Sequence, residues 1–349
     1  MKKVTTYLIA VLIITIFIPT VIVKTFNFEP QLSSAEKEDY KENRTIDGPG
    51  KKEKSNSKSK KDKDIEYIQV YNPDTKKVNK IQLEEYIKGV VAAEMPARFH
   101  IEALKAQAIA ARTYAISRNK KYSSGNPAHK KAPICSSTHC QVYLSLEELE
   151  EIHGEKWVKK YWGKIGEAVD STKNLVINFD GEIIEPLYHS TSGGKTEDAI
   201  HVFATDSPYL KSVDSPNEEE APKYKENLTF TVEEFIKIIN KEYKDVKLKK
   251  DNFFDKIKLV EKSPSGRVKK LAIDNTMVSG SDMRDLFELN STNFTITYDK
   301  KVNLIEIETQ GYGHGVGMSQ WGANGMAKEG KTYEEILKHY YSGVDIDKM

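Results

Sequence analysis

The stretch QLEEYIKGVVAAEMPARFHIEALKAQAIAARTYAISRNK, residues 82–120, decides how the chain is read. Leu83, Tyr86, Ile87, Val90 and Val91 recur at helical spacing, which predicts an amphipathic helix ending where Pro96 removes a backbone donor. Glu94 then sits at a helix end. Ile101, Leu104, Ala108, Ala111 and Ala115 mark the buried stripe of a second, alanine-rich helix able to pack closely on the first. A carboxylate flanked by Val90, Val91, Ala92, Ala93 and Met95 is poorly placed for solvent and well placed for a general acid. Apolar surroundings raise its pKa toward working pH. From these residues alone, a helix-end charge paired with Lys105 or Arg112 stays open as the alternative.

Toward the N-terminus, Lys2 and Lys3 precede an uncharged, mostly apolar run from Val4 to Val23, closed by Lys24. Such a run is long enough to cross a bilayer, so residues 1–24 are expected to be a signal anchor with a cytoplasmic tip, a cleaved signal peptide being the alternative. Residues 25–64 end in KKEKSNSKSKKDKD. This composition cannot bury enough apolar surface to order itself and predicts a flexible tether, read as a solvated spacer, with contact between its lysines and anionic lipid or wall polymer as the alternative. The formal net charge of +1 argues against a dedicated nucleic-acid binder.

A folded extracytoplasmic domain is expected over residues 65–349. It opens on IEYIQVYNPDTKKVNKIQL, two short strands around an Asn-Pro-Asp turn. After the helix pair, SSGNPAHKKAPICSSTHCQVY holds the only two cysteines of the chain, and His129, Cys135, His139 and Cys140 fall close together. Two thiolates and two imidazoles can close a tetrahedral zinc site with no open position. Outside the membrane a Cys135–Cys140 disulfide competes with that reading. Trp157, Tyr161 and Trp162 lie in a charged stretch that predicts a surface helix with its rings in the core.

NLVINFDGEIIEPLYHSTSGGKTEDA reads as a hairpin turning at Asp180-Gly181, running into a polar loop of His189, Ser190, Thr191, Ser192, Gly193, Gly194 and Lys195. A serine hydrolase built on His189 and Ser192 lacks both the G-x-S-x-G elbow and an acid partner. Residues 217–309 alternate strand and helix signals and are expected to be mostly scaffold: a helix begun by Thr231, a hairpin turning at Pro264-Ser265-Gly266, then a short helix and a strand. GYGHGVGMSQWGANGMAKEG crowds glycines around His314 and Gln320 but lacks the lysine of a phosphate-binding loop. TYEEILKHYYSG closes the chain as a helix stopped by Gly343.

VVAAEMPARFHIEALKAQAIAARTYA, residues 90–115, resembles the signature of the stage II sporulation protein D family, membrane-anchored lytic transglycosylases with a related domain in amidase enhancers. TDSPYLKSV, residues 205–213, the His189–Lys195 loop and the glycine-rich motif resemble further family motifs. The resemblance implies an α+β domain in which the helix pair and β-hairpins surround a glycan-binding groove. It implies cleavage of the bond between N-acetylmuramic acid and N-acetylglucosamine in peptidoglycan, leaving 1,6-anhydromuramic ends, during engulfment at the sporulation septum. Glu94 is then the acid/base. Lys105, Arg112, His189, Ser190, Ser192, Lys195, Tyr209, Lys211, His314 and Gln320 are the expected substrate contacts. His129, Cys135, His139 and Cys140 become a structural zinc site, and sporulation proteins P and M the expected partners. Lys105, Arg112, Lys195 and Lys211 suggest a reader of the lactyl carboxylates that appear once stem peptides are stripped. The rival expectation is a wall-binding or amidase-activating module that holds glycan without cutting it.

Overall fold

The computed structural model describes residues 65–349; the anchor and tether expected over 1–64 lie outside the described residues. Among the described residues no helix is long and apolar enough to cross a membrane.

Strands β1 (Tyr67–Asn72) and β2 (Lys77–Gln82) pair antiparallel from Tyr67↔Gln82 to Asn72↔Lys77, and Ile68 and Val70 point into the core. The short β3 (Ile134–Cys135) joins the other edge of β1 in parallel. Gln82 caps α1 (Leu83–Glu94) by accepting from the Glu85 amide. Beyond the Met95–His100 turn lies α2 (Ile101–Lys121), with thirteen residues from Ala103 to Ile116 buried. A helix enclosed on every side needs small residues, and its alanines let α1, α4 (Glu155–Asp170), β4 (Leu175–Phe179), α8 (Gln320–Lys328) and α9 (Tyr333–Tyr340) pack around it.

That enclosure corrects the expectation for Arg112. Its guanidinium is wholly buried, donates to both Glu84 oxygens (Nε–Oε1 3.0 Å, Nη2–Oε2 2.6 Å), and spends its other donors on the Leu175 and Val169 carbonyls. It joins α1, α4 and β4 around α2 and cannot read a substrate charge. Arg112→Gln is therefore expected to strand Glu84 in the interior at a cost of about 3–5 kcal/mol, read as a lower urea midpoint.

The stretch expected as one surface helix is two, α3 (Leu146–His153) and α4, broken at Gly154 with φ +84°. β4 and β5 (Glu182–Ile183) turn at Asp180-Gly181, where both residues have positive φ as a tight hairpin requires. β6 (Tyr188–His189) pairs parallel with β13 (Met318–Ser319), and α5 (Ala199–Phe203) follows the polar loop. The chain's last strand, β14 (Asp345–Lys348), returns to β4.

Residues 225–309 build a second core of their own around Phe235, Phe253, Leu271, Ile305 and Ile307. β7 (Lys225–Thr231) leads to α6 (Val232–Glu242), opened by a Thr231–Glu234 capping box. β8 (Ile257–Lys262), β9 (Val268–Ile273) and β10 (Thr276–Ser279) form one antiparallel sheet, and β11 (Phe294–Asp299), β12 (Leu304–Gln310) and β7 another. α7 (Gly280–Leu286) packs on β9. The whole is an α+β fold.

Candidate active site

Glu94 is the last residue of α1, and the turn behind it is held from two sides. Lys164 of α4 donates to the Phe99 carbonyl, and Asn324 of α8 accepts from the His100 amide at 2.8 Å. Phe99 meets the Trp321 ring edge-on at 4.8 Å. Glu94 and its turn thus open into a cleft of about 550 Å³, lined by α1 and the turn on one side, His153, Trp157 and Tyr161 on the second, and Ser190, Gln320 and Trp321 on the third.

Among the described residues no cation pairs with the Glu94 carboxyl. Oε1 accepts from the Val142 amide at 2.7 Å, and Oε2 lies 3.4 Å from Gln320 Nε2. Desolvation raises its pKa to about 7, against the pull of those two donors. The helix-end ion pair with Lys105 or Arg112 is absent: Lys105 bonds Glu102 at 2.8 Å, and Arg112 is committed to Glu84.

The Val142 donor reaches Glu94 because residues 140–144 press directly on α1. A Cβ at Gly89 would lie 2.4 Å from the Leu144 carbonyl oxygen, so only glycine admits that approach. Gln141 anchors the segment, donating to Tyr86 Oη at 3.0 Å while accepting from Tyr188 Oη at 2.7 Å. Just before it come the His129, Cys135, His139 and Cys140 donors, all within 4.8 Å of one another. His129 Nε2 and His139 Nδ1 stand 3.1 Å apart, Cys140 Sγ is 3.5 Å from His139 Nδ1, and the Cys135–His139 and Cys140–His129 separations are each 3.9 Å. A zinc tetrahedron has edges of about 3.3 Å between nitrogens and about 3.6 Å between nitrogen and sulfur, so the four residues fit one ion. Both cysteines are free thiols in this structure.

Of the expected substrate contacts, Ser190 and Gln320 reach the cleft beside Glu94. His189 and His314 pack together with ring centroids 5.5 Å apart, outside the lining. Burial drives the His189 pKa well below the ordinary imidazole value and His314 to about 3, so both rings are neutral at working pH. Ser192 is buried, its Oγ donating to Glu218 at 2.9 Å, and Glu218 also takes the Gly193 and Gly194 amides. That loop is a carboxylate-pinned corner with no Ser–His dyad. Lys195 pairs with Asp214, Lys211 with Asp206, and the Tyr209 hydroxyl accepts from the Glu185 amide at 3.4 Å. These three, with Lys105, lie outside the cleft lining.

The glycine-rich motif, expected to present His314 and Gln320 to substrate, brings Gln320 to the cleft and leaves His314 outside the lining. Gly311, Gly313 and Gly317 all have positive φ, and a Cβ on them would collide with the Ser192 carbonyl, the His189 side chain and the Leu187 carbonyl. The alternate glycines form a seam against residues 187–192 rather than a ligand loop. The motif then becomes α8, capped by Ser319, which delivers Gln320 and Trp321 to the cleft. Sequence reasoning missed Trp157, Tyr161 and Trp321 as cleft walls, and Arg98, whose guanidinium lies 5.6 Å from the Trp321 ring centroid.

The model of the family described as stage II sporulation protein matches residues 71–179, and one described as a domain of unknown function matches residues 195–317. Stage II sporulation protein D of Bacillus subtilis (strain 168) is 41% identical over 281 residues, 80% of this chain and 79% of that protein. The protein of the same name from Bacillus amyloliquefaciens is 34% identical over 349 residues, 100% of this chain and 96% of its own. The amidase enhancer of Bacillus subtilis (strain 168) is 29% identical over 308 residues, 74% of this chain and 40% of that protein. The first match runs from the end of β1 through β2, α1, α2 and the His/Cys loop that together set Glu94 in the cleft, and the full-length similarity carries the rest: the chain belongs to the stage II sporulation protein D family.

Proposed function

We propose that the protein is a lytic transglycosylase that cuts peptidoglycan strands between N-acetylmuramic acid and N-acetylglucosamine and leaves 1,6-anhydromuramic ends. One observation carries the reading: among the described residues lining the cleft, Glu94 is the only carboxylate, half-buried and free of any cation. Hydrolysis by the usual glycosidase route needs a second acid, to activate water or to attack the sugar. A route with an internal nucleophile needs one. Val142 holds Oε1 as an acceptor, which leaves Oε2, with its long Gln320 contact, to carry the proton. Glu94 protonates the glycosidic oxygen, and the bond to muramic C1 breaks. The resulting carboxylate takes the proton of the muramic C6 hydroxyl as that oxygen closes on C1. Proton and bond counts balance, and the C6 hydroxyl acts at the high effective concentration of an intramolecular group. Trp157, Tyr161 and Trp321 offer ring faces to the sugars.

The His/Cys cluster holds a structural zinc in this reading, a closed site that takes no part in the chemistry. The chain works on the outer face of the cell membrane in the sporulation septum, tethered by its first 24 residues, with sporulation proteins P and M as partners.

Arg98 supports a preference for peptide-free strands in place of the four cations expected from the sequence. It is exposed, it is the only lysine or arginine lining the cleft among the described residues, and no described carboxylate pairs with it. A stripped muramic acid presents a lactyl carboxylate, which a guanidinium binds bidentately. Arg98→Gln is expected to slow cleavage of stripped glycan about tenfold, the worth of one charge-assisted bond, and to leave peptide-bearing glycan unchanged. Equal rates on both substrates for the wild type would remove the preference.

The similarity to an amidase enhancer favours a second reading, a module that grips glycan for an amidase without cutting it. Incubating the protein with stripped glycan and weighing the ends by mass spectrometry separates the two: anhydromuramic ends support the enzyme, and binding without them supports the module.

A further inference from the structure

The 225–309 unit does not merely stand beside the site. The tip of its β8–β9 hairpin leaves its own core and enters the loops that build the cleft. Ser265 Oγ donates to Glu197 Oε2 at 2.7 Å. Arg267, only 2% exposed, reaches further: Nη2 donates to the Ser192 carbonyl at 3.0 Å, and Nη1 to the Gly313 carbonyl and Thr292 Oγ1, each at 3.4 Å. Gly315 makes the seat. A Cβ there would lie 2.4 Å from Arg267 Cζ, so the guanidinium rests flat on bare backbone.

This cation sits on carbonyls, and among the described residues no carboxylate bonds to it and its buried Nε has no partner. An apolar plug of the same volume would fill the seat at lower cost, so stability alone is a poor reason for an arginine. Position is a better one. Ser192 and Gly313 belong to the two segments that deliver the cleft residues, paired through Thr191↔Tyr312 and the β6–β13 ladder. Two residues from Ser192 is Ser190, whose carbonyl accepts from the Trp321 amide at 3.1 Å; beyond Gly313 the other segment ends in Gln320, against Glu94. Fixing both carbonyls to one rigid fork fixes the spacing of Ser190 and Gln320.

We propose that Arg267 is a positioning residue for the reaction: it staples the Ser192 and Gly313 carbonyls so that Ser190 and Gln320 are held in register with Glu94. The proposal rests on the lytic reading of the cleft. It makes the unit matched by the domain of unknown function a clamp on the catalytic loops.

The test compares the full chain with Arg267→Met, which keeps volume and loses every donor, and Arg267→Lys, which restores charge without the fork. At saturating stripped glycan, Arg267→Met is expected to turn over at least about tenfold more slowly with KM within about twofold, and Arg267→Lys to recover part of the rate. Hydrogen exchange in Arg267→Met is expected to quicken about tenfold or more in residues 190–194 and 311–320, with the amides of α1 and α2 unchanged. Wild-type turnover and exchange in Arg267→Met would overturn the proposal. So would a loss of activity accompanied by faster exchange throughout the chain, which marks a purely structural role. If the wild type itself forms no anhydromuramic ends, the lytic reading falls, and the localised exchange difference still decides whether Arg267 holds the two loops.

Discussion

Glu94→Gln is expected to form no measurable anhydromuramic ends, a fall of at least about 1,000-fold, and yet to melt at a higher temperature than the wild type at pH 8. Both effects come from one fact. The carboxyl is withdrawn from water at the C-terminal end of α1, where desolvation raises its pKa from 4.5 to about 7, and a helix C-terminus further disfavours negative charge. A group with a raised folded pKa favours the native state fully below its unfolded pKa, and the contribution is lost as pH climbs through the folded value. The wild type should therefore weaken relative to Glu94→Gln between about pH 4.5 and 7 and level off above. A shift of this size is worth up to about 3 kcal/mol. Glutamine keeps the shape and can still meet Gln320, but it holds no transferable proton, and both proton transfers of the proposed reaction pass through this one side chain. The same protonation equilibrium sets the pH profile: turnover at low substrate should fall tenfold per pH unit above about 7, as the acid form disappears. Melting curves of both proteins at pH 5 and pH 8, with end analysis by mass spectrometry, check the set. A variant that still produces anhydro ends, or equal melting at both pH values, would remove Glu94 from the centre of the reaction.

How much of the molecule can be read from the chain depends on how far each interaction reaches. Short-range signals held: the Asp180-Gly181 turn, the Thr231 capping box and the break at Pro96 are set by neighbours within four residues, and each lies where the sequence places it. So does the apolar neighbourhood of Glu94, because the residues around it in sequence also surround it in space. The failures concern partners that are distant along the chain. Arg112 looks like one charge on an exposed helix face, and only the burial of α2 from all sides, with Glu84 waiting on α1, turns it inward. Trp157 and Tyr161 lie on a helix that packs one edge on the core and turns these rings toward the cleft, a choice that depends on where Glu94 comes to rest. The odd-numbered glycines from Gly311 to Gly317 look like a ligand loop, since glycine reports a close approach without naming what approaches; here it is backbone, a histidine and an arginine. Gly322 and Gly325 hid α8 in the same way, by lowering helix propensity in a segment that tertiary contacts with Tyr340 and Asn217 hold helical.

Stripping the His/Cys cluster of metal is expected to silence the protein although no donor of that cluster lines the cleft. One zinc per chain should be found on purification. Its removal by chelation, or Cys140→Ser, should lower the melting temperature by on the order of 10 °C and activity by about 100-fold or more. The reason lies in the two residues directly after Cys140. Without an ion, the four side chains keep only one imidazole-to-imidazole hydrogen bond at 3.1 Å and weak sulfur–nitrogen contacts at 3.5–3.9 Å, far less than four metal bonds supply. The loop then relaxes. Gln141 and Val142 come next in the chain, and they carry the bond to Tyr86 and the amide that holds Glu94 Oε1. Losing that amide removes the donor that fixes which carboxyl oxygen bears the proton, and withdraws one of the two contacts opposing the rise in its pKa. The apo protein should thus show its remaining activity displaced to higher pH, a shift that a simple loss of folded molecules would not produce. Zinc analysis, melting with and without chelator, and the pH profile of residual activity are the measurements. Protein that contains no zinc and carries a Cys135–Cys140 disulfide, or chelated protein with unaltered melting, would show that the cluster is not a metal site and that the loop is held to α1 without an ion, by Gln141, the Val142 amide and the contact at Gly89.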